Sequence, residues 1–393
     1  MRRNLAAATL LFVALSTSTS ISPQLATVNS ASKPALRSDA PIREDQWHLR
    51  SLQVGAAHEL SEGQGIVVAV PDTGVDPHPD LRRNLLPGID ILGDHSDGRH
   101  DSNSHGTGIA GLIAAHGSSK TTGALGIAPR AKILPIRSSA SNNFGSADDL
   151  AAGIEFAITH GAQVINISSG GGSTPRLIRA VDSALAADIV VVAAAGNSPQ
   201  QASIGYPASH PAVVAVGGVD RTGKRAAVSL TGPQVDLTAP AVDIYSTSYD
   251  GKYSKGTGTS SATAIVAGAA ALVRSKYPYL PAREVVHRLT ATAVDKGPPG
   301  RDDEYGYGVI DIVAALTADV PPLGFESATA TAPPAGSAGT TAAASPPGDG
   351  GDDTAATVRG MVTLGLIVAG GVIWALVVRR RRRSDDPPPR ISH

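Results

Sequence analysis

The 393-residue sequence has no cysteine. Disulfides, thiolate metal sites and a cysteine nucleophile are therefore excluded, and the redox compartment cannot be read from sulfur. Nor is there an excess of positive charge: 33 Lys and Arg stand against 34 Asp and Glu, for a formal net charge of -1. A general nucleic-acid binder needs a domain-wide basic surface to displace counterions from phosphates, and this chain has none. A Gly-x-Ser-x-Gly elbow is missing, which removes the α/β-hydrolase arrangement. Asp-Thr-Gly occurs once, at Asp72, so the two facing carboxylates of an aspartic protease are not available. No internal repeat is present. What remains, 42% hydrophobic residues and 43 glycines, suits a globular α/β core.

The two ends differ from the middle. Arg2 and Arg3 precede an apolar run, Leu5 to Leu15, followed by Ser/Thr-rich sequence with small residues near Ala26 and Ala31. This is the layout of a secretory signal, expected over 1–31 with its cleavage point unassigned. Residues 32–64 form an N-terminal extension, and 65–318 the folded domain. Between 319 and 358 the composition turns to Pro, Ala, Gly, Ser and Thr, as in "TAPPAGSAGTTAAASPPGDGGDD", which predicts a tether. A membrane helix is expected over 359–378, because Met361 to Val378 is apolar and uncharged for long enough to span a bilayer. Five arginines, Arg379 to Arg383, open a basic tail over 379–393. Such arginines stay cytoplasmic, so the expected topology is single-pass in the cell membrane with the folded domain outside.

In the middle, "GIVVAVPD", "AKILPIRS", "QVINISS", "DIVVVAAAG" and "AVVAVGGV" are apolar on both faces, as buried parallel strands are. Between them "SADDLAAGIEFAITHG" and "TPRLIRAVDSALAAD" have helical spacing, with Ser146 or Ala147 and Thr174 at plausible starts and Gly161 at an end. The alternation predicts an α/β fold, a doubly wound parallel sheet with helices on both faces. Ligands of such sheets lie beyond the carboxyl ends of the strands.

The polar residues expected at those ends include Asp72, closing the first strand, and Asn197, closing another in "VVVAAAGN". His105 and Ser260 each open a small-residue helical run, in "SNSHGTGIAGLIAAHG" and "GTSSATAIVAG". Singly, each suits a turn or a cap. Together they supply an acid, a base, a nucleophile and an oxyanion donor. A serine hydroxyl attacks poorly until a neutral imidazole takes its proton, and a buried carboxylate must hold that imidazole in the right tautomer. The charge that develops on the attacked carbonyl is received by an amide side chain and a helix N-terminal N–H. The crowded stretch "GDHSDGRHDSNSH", Asp94 to His105, reads as a solvated loop, since its spacing fits no helical pair of metal ligands.

The blocks "DTGVD", "HGTGIAG", "AAAGN" and "GTSSATAIVAG", in the chain order Asp, His, Ser, resemble those of subtilisin-like serine proteases, the subtilases. The resemblance spans about Gln46 to Leu316. It implies a serine endopeptidase acting on peptide or protein substrates, with Asp72, His105 and Ser260 as the triad and Asn197 as oxyanion donor. By the same resemblance Phe144, Gly145 and Ser146 form one edge of the substrate cleft and Ser168, Ser169 and Gly170 the other. Ala264 stands where a proline is usual after the nucleophile, and Ser261, Pro71 and Gly108 are further departures; none removes a proton-transfer group. "DQWHLRSL", the signal, the linker, the single span and the basic tail together resemble the mycosins, membrane-anchored subtilases of type VII secretion. That likeness implies the plasma membrane and a secretion complex as partners; the rival readings are a mainly structural part in the complex, and a membrane-tethered subtilase unrelated to secretion. The missing cysteines depart from the disulfides of mycobacterial mycosins. No cofactor or metal is called for; a structural calcium is compatible with the sequence but not marked by it.

Overall fold

The structure, a computed structural model, describes residues 24–27, 42–93, 96–119, 121–140 and 144–324. The chain divides into two units, Met1–Ala328 and Thr329–His393, and every described residue belongs to the first. Most of the expected signal, the linker beyond 324, the span Met361 to Val378 and the basic tail lie outside the described residues. No helix among the described residues is long and apolar enough to cross a membrane.

In chain order the elements begin with strand β1 (Gln24–Thr27), helices α1 (Ile42–Asp45), α2 (Trp47–Ser51) and α3 (Val54–His58), strands β2 (Val67–Asp72) and β3 (Ile89–Asp90), and helix α4 (His105–Ala114). Strands β4 (Lys132–Arg137) and β5 (Phe144–Ser146), helix α5 (Ala147–Thr159), strands β6 (Val164–Ile167) and β7 (Ser169–Gly171) and helix α6 (Pro175–Ala186) follow. Strands β8 (Val190–Ala194), β9 (Val214–Val219), β10 (Leu237–Pro240), β11 (Ile244–Thr247) and β12 (Tyr253–Gly256) lead into helices α7 (Thr259–Lys276), α8 (Ala282–Ala291) and α9 (Ile312–Thr317).

Seven strands form one parallel sheet in the order β10-β9-β8-β6-β2-β4-β3. All five apolar runs anticipated from sequence are in it. Alternate residues of each strand serve opposite cores, which is why these runs show no polar face: Val68, Val70, Val190 and Val192 pack on the side of α4 and α7, and Ala69, Ile165 and Val191 on the side of α5 and α6. Each such Val or Ile contributes about 2 kcal/mol by leaving water.

The helix starts are chemically marked. Ser146 Oγ accepts the Asp149 N–H at 3.0 Å while Asp149 Oδ2 accepts the Ser146 N–H at 3.4 Å, a reciprocal cap on α5. Thr174 Oγ1 accepts from Leu177 N at 3.2 Å and caps α6, with Pro175 in the first helical position. Helix α7 is buried all round from Ala262 to Val273, and its small residues let neighbours approach closely. A methyl group on Gly268 would lie 2.7 Å from Ile127 Cβ.

Two features place the site. The sequence runs from β2 to β4 on one side and then returns across β2 to β6 on the other, so strand order reverses between β2 and β6 and opens a crevice at their carboxyl ends. The stretch from Ile42 to His58, expected as part of an extension, packs into the same core through Ile42, Trp47, Leu49, Leu52, Val54 and Ala57. Trp47 Nε1 is anchored on the carbonyls of Val242 and Asp243, at 3.1 and 3.2 Å.

Candidate active site

Asp72 is the last residue of β2, and His105 is the first of α4. Asp72 Oδ1 accepts a hydrogen bond from His105 Nδ1 at 2.7 Å and from the Thr73 N–H at 2.7 Å. The side chains are 2% and 8% exposed. A carboxylate can only accept, so Nδ1 carries the proton and Nε2 is left as the basic nitrogen. Burial pulls the imidazole's pKa down, but the charge of Asp72, its hydrogen bond and the further charge of Asp101 outweigh burial and hold it above 6.5.

What brings the two residues so close is an absence of side chain. Gly106 follows His105, and a methyl group there would lie 2.1 Å from the carbonyl oxygen of Gly74 and 3.2 Å from Asp72 Cβ. Only hydrogen lets α4 begin against the end of β2.

Ser260 is the second residue of α7 and is buried, 4% exposed. Its Oγ donates to the Ser168 carbonyl at 3.4 Å. The serine-to-imidazole hydrogen bond of a working triad is not formed here, and His105 Nε2 has no hydrogen-bond partner among the described residues. A hydroxyl is a single-bond rotor, and catalytic hydrogen bonds commonly tighten only when substrate is bound.

Asn197 follows β8. Its Oδ1 accepts from the Thr259 N–H at 3.0 Å and from Thr259 Oγ1 at 3.2 Å, and Thr259 Oγ1 in turn accepts the Gly196 N–H at 3.2 Å. Because a backbone N–H can only donate, this contact fixes which end of the amide faces α7. The orientation of Asn197 is thus set by the helix that carries Ser260. Asp72, His105, Ser260 and Asn197 all fall at the carboxyl edge of β2, β6 and β8, as expected from the sequence.

The expected cleft edges are strand β5 and, through Ser169 and Gly170, strand β7, with Ser168 just before it, and between the strands lies β1, antiparallel to both. Leu25 pairs with Gly145 on one side and Gly171 on the other, and Ala26 with Phe144 and Gly170. An extended segment of the chain's own N-terminal region therefore fills the space between Phe144–Ser146 and Ser169–Gly171. The Ser146 hydroxyl is committed to capping α5, so this residue meets β1 through its backbone. Ser168 Oγ accepts from Asn166 Nδ2 at 3.0 Å.

The sequence does not mark Gln201. Its Oε1 accepts the Asn197 N–H and its Nε2 donates to the Gly170 carbonyl, both at 3.1 Å, which ties the Asn197 turn to the cleft edge. Nothing in "NSPQQ" separates it from an ordinary turn residue. Asp101 also lies beside the site and is buried, 2% exposed; the Gly, Ser and Asn around it suggest solvent, but the N–H groups of Asn103, Ser104 and Thr107 converge on its carboxylate instead. Among the described residues no group of three or more His, Asp or Glu is placed to hold a metal ion.

A parallel α/β sheet with a buried Asp–His pair and a helix-borne serine at its carboxyl edge defines a class, and comparison identifies it. The subtilase family model matches residues 63–308, and the chain belongs to that family. It is 43% identical over 260 residues to subtilisin DY of Bacillus licheniformis, covering 65% of this chain and 92% of that protein. To subtilisin E of Bacillus subtilis it is 42% identical over 259 residues, covering 64% and 66%. Among solved structures, MycP1 from Mycobacterium smegmatis is similar with a TM-score of 0.66 at 28% identity, over 76% of this chain and 91% of that one. A further MycP1 structure, of a serine protease described as an essential component of the type VII (ESX-1) secretion system, gives 0.66 at 34% identity over 75% and 94%. The chain is accordingly a serine endopeptidase of subtilisin type with mycosin-like structural neighbours.

Proposed function

We propose that Ser260 is the nucleophile, His105 the general base, Asp72 the carboxylate that holds the imidazole, and Asn197 the oxyanion donor, acting on peptides laid between Phe144–Ser146 and Ser168–Gly170. The observation that carries this is the 2.7 Å bond from His105 Nδ1 to Asp72, which leaves Nε2 as base at the crevice where α7 presents Ser260. The Ser260 hydroxyl rotates from Ser168 to Nε2, loses its proton and forms an Oγ–C bond to the scissile carbonyl. Negative charge gathers on the carbonyl oxygen, within reach of the Asn197 amide and the positive N-terminus of α7. His105 then gives its proton to the departing amine as the C–N bond breaks. Water, deprotonated by the same imidazole, hydrolyses the acyl ester. No cofactor enters these steps.

The enzyme works outside the plasma membrane, tethered by Met361–Val378 with its basic tail in the cytoplasm. The signal-like start, the Pro-rich linker and the five arginines support this, each arginine costing about 3 kcal/mol to bring to mid-bilayer on insertion scales. The likeness to MycP1 supports work beside a type VII secretion complex. Protease added to intact, wall-stripped cells should remove the domain and leave a protected fragment carrying the arginines; a protected domain with a digested tail reverses the orientation. In a host lacking the gene, Ser260→Ala should fail to restore processing of secreted chains. Full restoration of processing and secretion by that variant would assign the chain a structural role instead.

A further inference from the structure

The segment entering α4 holds a second buried carboxylate that the catalytic steps leave unused. Asp101 Oδ1 accepts from Thr73 Oγ1, Asn103 N and Ser104 N, each at 2.9 Å. Its Oδ2 accepts from Thr107 N at 2.9 Å and Thr107 Oγ1 at 2.6 Å. Thr73 Oγ1 accepts the Gly106 N–H at 3.0 Å. Thr73 follows Asp72, while Gly106 and Thr107 follow His105, so one carboxylate and two threonines link the strand end bearing the acid to the helix start bearing the base. These bonds satisfy two orphan N–H groups in the first turn of α4, which has no side-chain cap from its own Ser104. Ser104 sits in the left-handed region, φ 76°, a strained conformation for a non-glycine residue, and its N–H is held by Asp101.

We infer that Asp101 is a positioning residue for His105: it locks the imidazole's helix onto the Asp72 strand and presents a second negative charge to the ring. Of the charged groups in this region, Asp72 at the end of β2 and Asp101 on the entry loop face His105. Asp76 stands behind them, its Oδ1 accepting the Asp101 N–H at 3.4 Å. The neighbouring β11 contributes hydroxyls, Thr247 Oγ1 to Thr107 O and Ser246 Oγ to Gly108 O at 2.7 Å, and α7 contributes Ser260. Both carboxylates favour the charged ring, consistent with the raised pKa of His105. An amide at position 101 cannot accept all five hydrogen bonds and carries no charge. Two effects should therefore separate from simple loss of fold: slower chemistry and a displaced acid limb.

The test uses the full chain and a chromogenic peptide substrate, with kcat and KM measured against pH. Asp101→Asn should lower kcat about 10-fold to 100-fold, since small misplacements of a catalytic group cost that much, with KM within about twofold. The acid limb of kcat/KM should move to lower pH, and NMR titration of His105 should show the same displacement. Thr73→Val, which cuts the link while leaving Asp101 charged, should lower kcat without moving the acid limb as far, and Thr73→Ser should restore kcat. If Asp101→Asn does not fold, the two Thr73 variants carry the test. A folded Asp101→Asn with wild-type kcat and acid limb overturns the inference. So does a folded Thr73→Val with wild-type kcat, or activity lost only in proportion to the fraction unfolded.

Discussion

Gly106→Ala is a one-methyl test of how the Asp–His pair is assembled. The added Cβ would meet the Gly74 carbonyl oxygen at 2.1 Å and Asp72 Oδ1 at 3.2 Å. A carbon needs about 3.2 Å or more from a carbonyl oxygen, so either Gly74 or the start of α4 must retreat by about 1 Å. Gly74 has little room, since a Cβ on it would lie 2.0 Å from the His100 carbonyl oxygen and 3.3 Å from that of Gly98. The helix start therefore moves, and the 2.7 Å His105–Asp72 bond opens beyond hydrogen-bonding range. A displacement of that size costs about 100-fold in rate, and the overpacking costs about 1–3 kcal/mol of stability, partly offset by the better helix propensity of Ala. Gly108→Ala is the internal control. Two residues along the same helix, its Cβ would sit 3.4 Å from the Thr247 carbonyl, an ordinary contact. It should keep full activity and gain about 0.5 kcal/mol. Steady-state hydrolysis of a peptide p-nitroanilide, with thermal melting to score fold, separates the two. Equal activity in the two variants would refute the claim that close backbone approach builds the pair.

Three further outcomes follow from the geometry. His48 is wholly buried with no hydrogen-bond partner for either ring nitrogen among the described residues, and burial lowers its pKa from 6.5 to about 3. Below pH 6.5 the unfolded chain takes up a proton that the folded one refuses, so this residue costs stability as pH falls, by about 1.4 kcal/mol per pH unit and about 5 kcal/mol in all by pH 3. Denaturant melts of His48→Leu should lack that acid loss, and parallel pH curves for the two proteins would contradict it. Asn197→Ala should lose about 100-fold to 1000-fold in kcat with little change in KM, a magnitude taken from subtilisin, a member of the same family; an unchanged rate in a folded variant would reassign Asn197 to a structural role. Of two chains beginning at Gln24 and at Ile42, the shorter should hydrolyse extended peptides with a lower KM, because β1 competes for the cleft at an effective concentration on the order of millimolar. Identical KM values would mean that β1 does not block substrate.

The parts of this structure written locally in the chain are legible in the sequence itself. Two-faced apolar runs could only be interior strands, and Ser146 and Thr174 announce their helices through side chains that reach three residues ahead. Asp72, His105, Ser260 and Asn197 could be assembled from sequence because the order of blocks fixes which strand or helix end each occupies. What depends on partners distant in sequence could not. Gln–Leu–Ala–Thr carries no pattern that assigns it to the cleft, and its pairing with β5 and β7 spans more than a hundred residues. Asp101 sits in a stretch whose composition is that of a solvated loop, and its burial follows from Thr73 and Thr107 closing over it. His48 sits in a short helix whose sequence does not mark it as buried, yet it is 0% exposed. The rotamer that turns Ser260 toward Ser168 is a single torsion on which sequence is silent.

Covalent labelling of the purified protein with a serine-directed fluorophosphonate bears most directly on the central claim, because the reagent needs an activated nucleophile, a base and an oxyanion site together. The wild type should label at Ser260 alone, with a rate that falls as His105 becomes protonated at low pH. Ser261→Ala should label normally. Ser260→Ala should not label and should lose about a million-fold in turnover, again the magnitude known for subtilisin. Labelling that survives in a folded Ser260→Ala, or that disappears in Ser261→Ala instead, would contradict the assignment of Ser260 as the residue that His105 and Asp72 activate.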